Sequence, residues 1–144
     1  MLTLAQAQMI ITAALAAPRS QPRRAIAVAV CDAGGHPLAL AREADAPPLL
    51  AHIAMAKAST VVVYGKPTAE LAKIADDYPV WFGGISRVAQ SALGAPLIGS
   101  KGGRPIRDAA GQLLGAIGIA GETGDMDDAL ADTGIAAAGF STAG

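Results

Sequence analysis

Charged side chains are scarce in this chain of 144 residues: Asp, Glu, Lys and Arg make up 16%, against roughly 25% in an average soluble protein. Neither sign dominates, because eleven basic and twelve acidic residues leave a net charge of −1. That balance gives no electrostatic argument for a nucleic-acid or membrane partner, and neither is expected. There is one cysteine, Cys31, and no second thiol to pair with it. Zinc and iron–sulfur ligation by cysteine are excluded, and two scattered histidines do not make a metal cage. The N-terminus has no basic stretch ahead of its apolar residues, so it does not read as a secretory signal, and a cytoplasmic chain is expected. What fills the chain instead is apolar, 52% by count. So little polar surface points to burial between subunits, and a homo-oligomer is expected.

Apolar positions Leu4, Ala7, Ile11, Ala14 and Leu15 recur at helical steps behind Thr3, which is placed to cap. "AIAVAVCD", Ala25 to Asp32, is a buried-strand run, and "PLALAR", Pro37 to Arg42, is its return strand across an "AGGH" turn. A helix follows from about Pro48 to Tyr64 and stops at Gly65; a shorter one, in "KPTAELAKIADDY", is capped by Thr68. Val80 to Ala95 carries three glycines and reads as a loop with one or two helical turns. "PLIGS", "RPIRD" and "QLLGAIGIAG" read as three strands, and a last helix runs from about Asp125 to Ala138. One α+β domain over residues 1–144, with an antiparallel five-stranded sheet and flanking helices, is the expected fold.

Few motifs carry chemistry. "GAPLIGSKGGRPI" holds the ingredients of a P-loop, but Ser100 precedes Lys101, the reverse of the order that puts a hydroxyl on magnesium. Gly115, Gly118 and Gly121 are three apart, which is not the dinucleotide fingerprint and marks close packing against a helix or subunit. Asp32 ends a strand where a carboxylate caps turn amides, and Asp125, Asp127 and Asp128 suit the dipole of a helix start. Lys57 stands out because its helix neighbours are Ile53, Ala54, Thr60 and Val61, so its ammonium must snorkel or meet an anion. Arg42 precedes that helix and has the planar fork for a carboxylate. His52 shares a helix face with Met55 and Ser59, and His36 lies in a turn.

The ordered set "VAVCDAGGHPLALAR", "HIAMAKASTVVVYGKPTAEL", "KGGRPI" and "GAIGIAGETGDMDDALA" resembles the GlcG/HbpS-like family, also described as haem-degrading, over nearly the whole chain. The matching positions include Asp32, Arg42, Lys57, Pro67, Thr68, Gly102, Gly103, Pro105, Gly115, Gly118, Gly121 and Asp127. The chain departs from the family pattern at "READA", which moves an aspartate to Asp45, and at Ala120 and Glu122, which stand where the family has serine and glycine. The resemblance implies a profilin-like layered fold that assembles as dimers or larger oligomers.

From the resemblance, haem is the expected cofactor of a small-ligand pocket formed by Arg42, Lys57, Trp81, Phe82, Gly102, Gly103 and Glu122. Propionates would lie near Arg42, Lys57 and the Gly102–Pro105 turn, with His52, His36 or Tyr64 as axial ligand. A different class of function uses the same residues: an isomerase or lyase in which Arg42 anchors a carboxylate metabolite, Lys57 is acid, base or electrostatic stabiliser, and Trp81 and Phe82 form an apolar wall. A third is a non-catalytic oligomeric partner of a catabolic enzyme.

Overall fold

A computed structural model describes residues 1–143. Its elements run α1 (Leu4–Ala16), β1 (Ala27–Asp32), β2 (Pro37–Arg42), α2 (Leu49–Tyr64), α3 (Thr68–Asp77), α4 (Pro79–Leu93), β3 (Gly103–Arg107), β4 (Leu113–Ala120) and α5 (Gly124–Ala137). The strands form one antiparallel sheet in the order β2-β1-β4-β3. Two hairpins, β1–β2 and β3–β4, are thus joined along β1 and β4.

The two faces of the sheet differ in side-chain size, and that difference decides what packs on each. Val28, Val30, Ile106, Ile117 and Ile119 point to one side, where they meet Ile10, Ile11 and Ala14 of α1 and Leu130 and Ile135 of α5. Each of these aliphatic side chains contributes about 1.5–3 kcal/mol on burial. The alternate residues Ala27, Ala29, Cys31, Ala116 and Ala120 face α2. Their small size lets the helix backbone settle onto the sheet, closest at Gly118, where an added methyl would overlap the carbonyl oxygen of Ala54. That face of the sheet is built almost wholly from alanine, cysteine and glycine.

Several expectations hold. Thr3 and Gln6 make a reciprocal capping box at the start of α1, although Leu4 itself is exposed. Gly65 ends α2 in the left-handed conformation, φ 79°. Asp32 accepts from the N–H groups of Gly34 and His36, both at 2.9 Å, and so fixes the first hairpin.

Others are corrected. The sheet has four strands, not five, because "PLIGS" forms no strand. The Leu97 N–H donates to Ser86 Oγ and the Ile98 N–H to Thr60 Oγ1, so side chains take the donors a strand would have used. Lys101, Gly102 and Gly103 accordingly lead into β3 rather than joining two strands. The segment read as a loop is α4, a helix of 15 residues with Pro79 in its first turn and Gly94 at its end, φ 75°. Phe82 and Ala89 pack onto Leu71 and Leu97, and this contact outweighs the cost of Gly83 and Gly84, about 1 kcal/mol each. Thr68 does not cap α3; its hydroxyl is buried and accepts from the Gly103 N–H at 2.8 Å.

Candidate functional site

Lys57 meets its anion. From the face covered by α2 its ammonium passes the end of the sheet and donates to the Ile119 carbonyl at 2.7 Å and to Asp127 Oδ2 at 3.3 Å. Asp127 belongs to α5, on the opposite face, so the pair ties the two helical layers together. Both side chains are almost fully buried. Burial pushes the Asp127 carboxyl up, to about 7, even with the lysine beside it, and holds the Lys57 ammonium below its ordinary value. The other Asp127 oxygen accepts from the Glu122 N–H at 3.1 Å, and Asp128 accepts from the Gly102 N–H at 2.8 Å. The helix dipole alone is therefore the wrong account of Asp127 and Asp128: they hold the turns around the lysine.

This cluster is closed to ligands. Gly102 covers it, since a methyl there would come within 2.9 Å of Lys57 Nζ. The N–H groups of Gly102 and Gly103 are spent on Asp128 and Thr68. Glu122 turns its carboxylate away, to the Arg24 N–H. Arg42 is not brought to Lys57: it stays on edge strand β2, two strands from the β4 carbonyl that Lys57 meets. One of its terminal nitrogens, Nη1, donates to the carbonyls of Glu43, Ala44 and Ala46, which pins the guanidinium on the loop before α2.

The open concavity lies on the outer side of α2. A groove of about 630 Å³ is bounded by Leu40 of β2, by Leu49, His52, Ile53, Met55 and Ser59 of α2, and by Gly94, Ala95, Pro96 and Ile98. Its volume is in the roughly 300–1,000 Å³ range of small-molecule and cofactor sites. His52 is its one titratable side chain, and the rest of its lining is apolar apart from Ser59. Arg42 lies two residues beyond Leu40 on the same side of β2. Its Nε and second terminal nitrogen have no partner among the described residues.

The remaining candidates scatter. Trp81 and Tyr64 line a second, shallower groove of about 400 Å³ with Val63, Ile85, Val88 and Leu93. Phe82 turns inward and does not share that wall. His36 is 81% exposed on the first hairpin, beside Asp32. Asp127 was expected only to suit the helix dipole, and its pairing was signalled by nothing but the isolated charge of Lys57.

The architecture is an α+β protein in which a four-stranded antiparallel sheet separates two helical layers, with an apolar, single-histidine groove outside one of them. Residues 2–136 match the family described as haem degrading protein HbpS-like, and the chain belongs to that family. Protein GlcG of Escherichia coli is 31% identical over 116 residues, 78% of each chain. Among solved structures, a PduOC:heme complex superposes with a TM-score of 0.81 at 26% identity, over 99% of both chains. A double mutant of Streptomyces reticuli HbpS superposes with a TM-score of 0.73 at 33% identity, over 94% of this chain and 85% of the other.

Proposed function

We propose that this chain binds haem in the groove outside α2, with His52 as the axial ligand and Arg42 as the anchor of a propionate. The observation that carries this reading is a solvent-facing imidazole set alone in an apolar groove of cofactor size. A porphyrin is apolar across its faces and anionic at one edge, and the iron needs a single strong protein ligand, for which neutral imidazole is suited. Bound haem would supply a redox-active iron. The protein's part is to hold the ring among Leu40, Leu49, Ile53 and Pro96 and to present the imidazole. Arg42, pinned through one nitrogen, has its remaining edge free for a carboxylate in the bidentate manner. Family membership and the PduOC:heme complex support the choice of haem over other apolar ligands. The degradation that the family description names would act on haem held in this way. The chain works as an assembly of copies, in keeping with its scarcity of charge.

An isomerase or lyase that uses Arg42 and Lys57 on one substrate has no observation in its favour, because the two cations lie apart and the lysine is covered. Hemin titration tests the haem reading. A shifted Soret band is expected for the wild type and for His36→Ala and Tyr64→Phe, with His52→Ala lost. Arg42→Gln should weaken binding by about tenfold, the cost of one charge-assisted contact. A wild-type spectrum equal to that of hemin beside an inert protein overturns the reading.

A further inference from the structure

The two edges of the sheet are treated differently. On β3 no outward N–H is left open. The Gly103 N–H goes to Thr68 Oγ1 at 2.8 Å, Pro105 has no N–H, and Arg107 exchanges both its backbone bonds with Ser141, at 2.8 and 3.0 Å. These are the usual ways of blocking an edge against further pairing. β2 has none of them along its middle. The Glu43 N–H donates to the Ile26 carbonyl, and in the same register Val28 faces Ala41 and Val30 faces Ala39. By the alternation of an antiparallel ladder, Ala39 and Ala41 therefore bond to β1, while the N–H and C=O groups of Leu40 and Arg42 point outward. No backbone or side-chain partner takes them among the described residues. The strand carries an exposed leucine, Leu40 at 45%, and its one charge is at its end.

We infer that this open edge pairs antiparallel with β2 of a second copy about a two-fold axis at Leu40, joining two four-stranded sheets into one. A second copy fits better than an unrelated peptide because the edge is self-complementary. Each outward N–H finds an outward C=O at the axis. The two Leu40 side chains meet on the α2 side, and each Arg42 lies two residues to its own side of the axis, so the like charges are held apart. Leu40 also borders the groove of His52, so the pairing walls that groove on its β2 side. The inference rests on the reading that the chain self-associates and specifies the surface.

The test combines the mass in solution, by light scattering on a sizing column, with amide hydrogen exchange. The wild type should run as a dimer or a multiple of it, with the Leu40 and Arg42 amides protected. Leu40→Pro removes only an outward N–H, so the bonds of β2 to β1 are kept. It should lose the pairing, with the Arg42 amide exchanging at least about a hundredfold faster. In the event that this variant fails to fold, wild-type exchange decides alone. A monomeric wild type overturns both self-association and the edge pairing. An oligomer with unprotected Leu40 and Arg42 amides overturns the edge pairing and leaves self-association standing.

Discussion

Replacing Lys57 by methionine keeps the apolar stem and removes the ammonium that meets Ile119 and Asp127. At pH 8 the Asp127 carboxylate is then buried with the Glu122 N–H as its remaining partner outside its own helix, and breaking a buried pair from one side costs about 3–5 kcal/mol. Burial already outweighs the lysine in the intact pair: with Lys57 in place the carboxyl is raised from 3.8 to about 7, roughly 4 kcal/mol at about 1.4 kcal/mol per tenfold change. A folded state that raises a carboxyl's pKa holds its proton more tightly than the unfolded chain. The stability is therefore present at low pH and lost as pH rises from about 4 through 7. Without the lysine, Asp127 is raised further, so Lys57→Met should be most destabilised at pH 8 and much less so at pH 5, where the carboxyl is neutral in the fold. Urea unfolding at both values measures this, and at about 2 kcal/mol per molar the midpoint should fall by about 2 M at pH 8. Converting both partners, Lys57→Met with Asp127→Leu, should recover most of the loss. A loss under about 1 kcal/mol at pH 8, or an equal loss at both pH values, refutes the reasoning.

Two further predictions concern the small-residue face of the sheet. Gly118→Ala drives a methyl into the Ala54 carbonyl and must lift α2 from β4; a loss of about 3 kcal/mol or more is expected in thermal or urea unfolding. The Cys31 thiol is buried, and burial pushes it up to about 12, so it should react with a thiol reagent only at the rate of unfolding; fast labelling of the native protein would contradict that placement.

Local chemistry made much of the fold legible. The cap at Thr3, the stop at Gly65 and the turn held by Asp32 each depend on residues within a few positions, and each stands as expected. What failed depended on partners distant in sequence. "PLIGS" has the composition of a strand, but its donors are claimed by Ser86 and Thr60. The glycines of α4 argue against a helix until Phe82 and Ala89 find Leu71 and Leu97. The site shows the same divide. The apolar neighbours of Lys57 announced an anion, but Asp127 lies 70 residues on, where the helix start already explained it. The neighbours of His52 in α2 do not announce a groove, because the wall facing it comes from Gly94, Ala95, Pro96 and Ile98, a segment nothing local ties to α2.

Haem binding is proposed in the groove of His52, and not at the cluster around Lys57. A crystal structure of the protein grown with hemin tests it most directly. The iron should be bonded to His52 and a propionate to Arg42; iron on His36 or Tyr64, or a macrocycle seated beside Trp81, would contradict binding in this groove.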